Sequence, residues 1–107
     1  MDYGLSPLTI TRIQGVLARF VNVDKAVVYG SRAMGTYQTG SDIDLTLYGD
    51  KLTAQQLAAI ATELDDLLLP YTIDLSIFAS LNNVDLREHI ERIGKIFYVV
   101  PEQLRPT

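Results

Sequence analysis

YGSRAMGTYQTGSDIDL, residues 29–45, places two aspartates inside a stretch that alternates like a β-strand. Aspartate is depleted from strands, because a short charged side chain gains nothing from a pleated, half-buried surface. From residue 41 the chain reads SDIDLTLYG, with Ile43, Leu45 and Leu47 alternating against Asp42, Asp44 and Thr46. A period of two predicts a strand with one apolar face, and that face claims a core. Asp42 and Asp44 then leave the opposite face together, with their Cα atoms roughly 6.5–7 Å apart.

Upstream, KAVVY (residues 25–29) is short, β-branched and closed by Gly30, so it predicts a buried strand. SRAMG has room for about one helical turn before Gly35 stops it. Nearer the N-terminus, Ser6 and Pro7 read as the cap and first residue of a helix. Its apolar positions, Leu8, Ile10, Ile13, Val16, Leu17 and Phe20, recur at helical spacing. Downstream, Thr53 caps a second long helix with the stripe Leu57, Ile60, Ala61, Leu64, Leu67 and Leu68, closed by Pro70. YTIDLSIF (71–78) alternates again, with Asp74 on its polar side. Asn83 caps VDLREHIERI (84–93), Gly94 takes the place of a C-terminal glycine, and KIFYVV is a last strand before a polar, Pro-containing tail.

This order predicts an α/β (α+β) fold in a single domain over residues 1–107, a sheet of about four strands covered by helices. The link between the first two strands, about eleven residues, is near the minimum for a full crossover, which favours a mixed sheet. The helix between the strands carrying Asp44 and Asp74 is long enough for a normal crossover, making those strands neighbours.

Composition narrows the chemistry. The chain has no cysteine, which removes disulfides, thiolate metal sites and cysteine nucleophiles. Its formal charge of −4 opposes a long polyanion, so sequence-specific nucleic-acid binding is not expected. No stretch approaches the roughly 20 apolar residues of a membrane span, and the N-terminus lacks a basic region followed by an apolar run. The expected location is the cytoplasm.

Asp42, Asp44 and Asp74 would share one patch if their strands are neighbours. Without cations the three repel, whereas two divalent ions about 3.5–4 Å apart convert that repulsion into binding. An all-oxygen ligand set favours Mg²⁺, or Mn²⁺, over Zn²⁺. Gly30 and Ser31 stand where a buried strand gives way to a helical turn, and backbone N–H groups there suit a phosphate. A phosphate-binding turn ahead of a metal-binding aspartate pair suits a nucleoside triphosphate aligned against an acceptor hydroxyl.

Gly30-Ser31, ten intervening residues, then Asp42-Ile43-Asp44 resembles the signature of the DNA polymerase beta nucleotidyltransferase superfamily. Asp74 in TIDLSI resembles its third carboxylate. Over nearly the whole chain the match is closest to the minimal nucleotidyltransferases (MNT), through the GSRAMG opening and the terminal REHIERIGKIFY. The resemblance implies a palm-like mixed sheet, Mg²⁺, and transfer of AMP from ATP with loss of pyrophosphate. It also implies a partner, a helical HEPN toxin modified on a tyrosine, with this chain as antitoxin of a type VII toxin–antitoxin module. Asp42, Asp44 and Asp74 would hold the metals, and Gly30, Ser31 and Arg32 the nucleotide.

Two other readings stand beside this one. The chain could neutralise a partner by occlusion without catalysis, or transfer a nucleotide to a small molecule such as an aminoglycoside. Arg32 either pairs with a triphosphate or with a nearby carboxylate, and Tyr37 is either a base-stacking residue or a neutral loop residue. His89, the only histidine, lies among charges on the last helix and reads as a surface residue.

Overall fold

The computed structural model describes residues 2–102. Its elements follow the predicted order: α1 (Pro7–Ala18), β1 (Lys25–Tyr29), α2 (Gly30–Met34), β2 (Ile43–Tyr48), α3 (Ala54–Asp65), β3 (Ile73–Ile77), α4 (Val84–Ile93) and β4 (Lys95–Val99). From residue 103 onward the polar tail lies outside the described residues.

The sheet is mixed, with spatial order β3-β2-β1-β4. β1 runs antiparallel to both β2 and β4, while β2 and β3 are parallel and joined by the α3 crossover. Ala26, Val28, Ile43, Leu45 and Leu47 send their side chains into a core closed by Ile13, Val16 and Leu17 of α1 and by Ile60 and Leu64 of α3. Opposite Ala26 and Val27 the register of β4 shifts by a bulge, so Phe97 and Tyr98 both join that core while Ile96 faces outward.

The other face of the sheet is covered mainly by α4. Ile90 packs there against Val27 and Tyr29, and the Arg87 guanidinium donates to the Phe78 and Leu81 carbonyls after β3. These contacts lay α4 across β1 as far as Tyr29, which is buried, and leave Asp74 of the neighbouring β3 exposed.

Helix ends follow local chemistry. The Ser6 hydroxyl accepts from the Thr9 amide, Thr53 and Gln56 form a reciprocal capping box, and Asn83 accepts from the Leu86 amide. Two details differ from expectation. α3 ends at Asp65 rather than continuing toward Pro70, because Leu68 turns into the left-handed region (φ 54°) and is 87% exposed. Gly94 does follow α4, but its backbone is extended, not left-handed. Glycine is required there for space, since a Cβ would strike the Ile90 carbonyl and the Val27 side chain.

Candidate active site

The parallel register of β2 and β3 sets Asp44 directly opposite Asp74, and the antiparallel register of β1 sets Tyr29 opposite Asp44. Tyr29, Asp44 and Asp74 thus form one row across three strands. Behind it lies a second row, in which the Ser76 hydroxyl donates to Thr46 Oγ1 at 2.9 Å. Thr46 is fully buried, so the hydrogen bond satisfies a hydroxyl that would otherwise be costly.

Asp42 lies one residue ahead of β2, at the end of the loop and exposed. Asp74 is exposed as well, and Asp44 is half-buried between them. Burial pushes the Asp44 carboxyl above the ordinary carboxylate range, and the charges of Asp74 and then Asp42 push it further. The nearby His89 works in the opposite direction. Tyr29 is likewise raised, first by burial and then by Asp74, with the Ser76 hydroxyl working the other way and Asp44 adding to the rise. Negative charge is therefore concentrated at this end of the sheet.

Such a group fits a hard cation by the chemistry of its donors: three carboxylates with like-charged neighbours and no competing soft ligand. As placed, the three are not drawn together. Among the described residues no group of three or more His, Cys, Asp or Glu side chains is gathered closely enough to hold a metal ion.

Gly30 begins α2 with a left-handed backbone (φ 70°), and a Cβ at this position would collide with Asp44 Oδ2. Only glycine lets the strand-to-helix turn come this close to the carboxylate. Ser31 follows, half-buried, so the turn and the carboxylate row are adjacent as the spacing predicted.

Arg32 departs from expectation. It is 2% exposed, and its guanidinium donates from Nη1 to the Tyr3 carbonyl (2.8 Å) and from Nε and Nη2 to the Ser41 carbonyl (3.1 and 2.8 Å). The Tyr37 and Tyr71 rings lie 5.1 and 4.9 Å from it. With Nε, Nη1 and Nη2 each donating to a backbone carbonyl, Arg32 is a clamp tying the N-terminal segment to the 36–41 loop, and among the described residues it forms no ion pair with a carboxylate. Tyr37 is part of the same clamp.

His89 also departs from expectation. It is half-buried, not a surface residue among charges: its Nε2 accepts the Gly30 amide at 3.2 Å, and its ring meets the Tyr29 ring edge-on. The helical pattern of α4 contained a signal, because His89 precedes the buried Ile90 and so borders the inward face. That α4 crosses the end of β1 is a tertiary fact that local pattern did not supply.

Residues 11–103 match the family model described as polymerase beta, nucleotidyltransferase. The chain belongs to the polymerase beta nucleotidyltransferase family. No curated protein matches it by sequence. Among solved structures it is similar to one described as a toxin–antitoxin with AMP-PNP, at 22% identity and a TM-score of 0.69, covering 88% of this chain and 75% of that one. It is similar to a chain of the MntA–HepT toxin–antitoxin at 19% identity and a TM-score of 0.65, covering 92% and 75%. A third is a tri-AMPylated Shewanella oneidensis HEPN toxin in complex with MNT antitoxin, at 19% identity and a TM-score of 0.64, covering 90% and 73%. At these identities the likeness carries the nucleotidyltransferase fold. Among the described residues no helix is long and apolar enough to cross a membrane.

Proposed function

We propose that this nucleotidyltransferase transfers AMP from ATP to a tyrosine hydroxyl of a HEPN-type toxin partner, acting as the antitoxin of that pair in the cytoplasm. The observation that carries the reading is the register Asp44–Asp74 beside the Gly30–Ser31 turn. In this reading, acceptor activation and triphosphate binding would lie next to each other at one end of the sheet. Similar solved structures that contain an AMP-PNP or an AMPylated HEPN toxin support the choice of nucleotide and acceptor.

Asp42, Asp44 and Asp74 would hold Mg²⁺, which when bound neutralises the triphosphate and acidifies the acceptor hydroxyl. The Gly30–Ser31 turn would bind the phosphates, with the Ser31 amide and hydroxyl as donors. The acceptor oxygen attacks the α-phosphorus, the bond from that phosphorus to the oxygen bridging the β-phosphate breaks, and pyrophosphate leaves. Asp74, exposed at the outer end of the row, would take the hydroxyl proton. Similar solved structures in which a nucleotidyltransferase-like antitoxin is found with its toxin favour a folded protein acceptor over a small molecule.

Intact mass of the partner, co-expressed with this chain, tests the reading. An AMP-sized increment that disappears in the Asp42→Ala/Asp44→Ala variant supports it. A partner neutralised without any mass change would overturn it in favour of occlusion.

A further inference from the structure

The Gly30 peptide is confined from three directions. Its φ of 70° is left-handed, Asp44 Oδ2 fills the space a Cβ would take, and the Nε2 of His89 accepts its N–H. In this hydrogen bond Nε2 is the acceptor and the Gly30 N–H the donor. The ring cannot turn freely: the Tyr29 ring stands against it at 78°, centroids 6.2 Å apart. Nor can α4 withdraw it cheaply, because the next residue, Ile90, is 2% exposed in the cluster with Val27 and Tyr29.

We propose that His89 is a positioning residue for the nucleotide: through the Gly30 amide it sets the direction of the turn that binds the triphosphate. This rests on the nucleotidyltransferase reading of the same site. A glycine at the end of a strand can rotate its peptide at little cost, and a rotated peptide would redirect the turn that now lies against Asp44. The His89 hydrogen bond orders the turn before a nucleotide arrives, so the ordering cost is not charged to binding. With Gly30 N–H taken by the imidazole, the Ser31 amide and hydroxyl remain to meet the phosphates.

The test compares His89→Leu, which removes the acceptor, with His89→Gln, whose side-chain oxygen reaches the place of Nε2. Two readouts are taken on the full chain: hydrogen exchange of the Gly30 amide without ligand, and affinity for a fluorescent ATP analogue with Mg²⁺. His89→Leu is expected to speed Gly30 exchange and weaken nucleotide binding about tenfold, the scale of one hydrogen bond. His89→Gln is expected to restore both to within about threefold of wild type. In transfer assays the loss should fall on the KM for ATP, with kcat changed less than about threefold. Equal affinity of His89→Leu and wild type, or failure of His89→Gln to restore a folded chain's binding, overturns the proposal. If wild type itself binds no nucleotide, the nucleotidyltransferase reading fails, and that outcome is separable because Gly30 exchange still reports the hydrogen bond.

Discussion

The two faces of the sheet obey opposite rules although they are built from the same strands. On the α1/α3 face, Ile43, Leu45 and Leu47 are fully buried, and their removal from water stabilises the fold. On the α4 face the same strands carry Asp44, Thr46, Asp74 and Ser76, and the Asp44 charge works against folding, first through burial and then through repulsion by Asp74 and Asp42. A strand's period of two makes this division possible, since alternate residues answer to different environments. The core face can therefore carry the stability that the polar face gives up.

The sharpest way to break this comparison is to remove charge from the polar face. Asp42→Ala/Asp44→Ala should reduce AMP transfer by at least about a thousandfold while leaving the melting temperature equal to wild type or higher. Labelled-AMP transfer and thermal unfolding, measured on the same preparation, check both halves. Loss of stability together with activity would mean that the aspartates hold the fold.

The converse substitution lies one residue away. Leu45→Ala on the core face should cost about 2–4 kcal/mol in urea unfolding, because it opens a cavity under α1 and α3. Arg32→Ala should follow at about 2–3 kcal/mol, since it leaves the Tyr3 and Ser41 carbonyls without their charged donor. Arg32→Lys should not rescue it, because one ammonium cannot span carbonyls that three guanidinium nitrogens reach. An Arg32 variant of wild-type stability with impaired nucleotide binding would return this residue to the phosphate site.

Much of this division is legible in the chain itself. Alternation in SDIDLTLYG and TIDLSI assigns the faces, and the Ser6, Thr53 and Asn83 caps mark helix starts that the structure retains. The short link between β1 and β2 already disfavours a parallel pair. Long-range partners are less legible. Arg32 looks like a phosphate ligand because it follows Gly30-Ser31, yet carbonyls from residues 3 and 41 claim it. His89 looks like one more charge on a polar helix until α4 is laid across Tyr29. Leu68 extends a helical stripe on paper, but a left-handed turn ends the pattern before it reaches the core.

The smallest expected effect concerns Asp44 alone and tests whether its charge opposes folding. A carboxyl whose pKa is raised by folding binds its proton more tightly in the folded chain than in the unfolded one. Stability therefore falls as pH rises from the ordinary carboxylate value through the raised one, and stays lowered above it. Asp44→Asn keeps the shape and removes the charge. At neutral pH without divalent ions it should be more stable than wild type by about 0.5 kcal/mol after solvent screening, or about 2–4 °C in melting temperature. The gap should close as pH falls through the carboxylate range, where wild type becomes neutral at this position too. Added Mg²⁺ should reverse the order, raising the melting temperature of wild type and leaving Asp44→Asn nearly unmoved. If Asp44→Asn is instead the less stable protein at neutral pH without metal, the row is held together by something other than the cation it would bind, and the opposition between the two faces is lost.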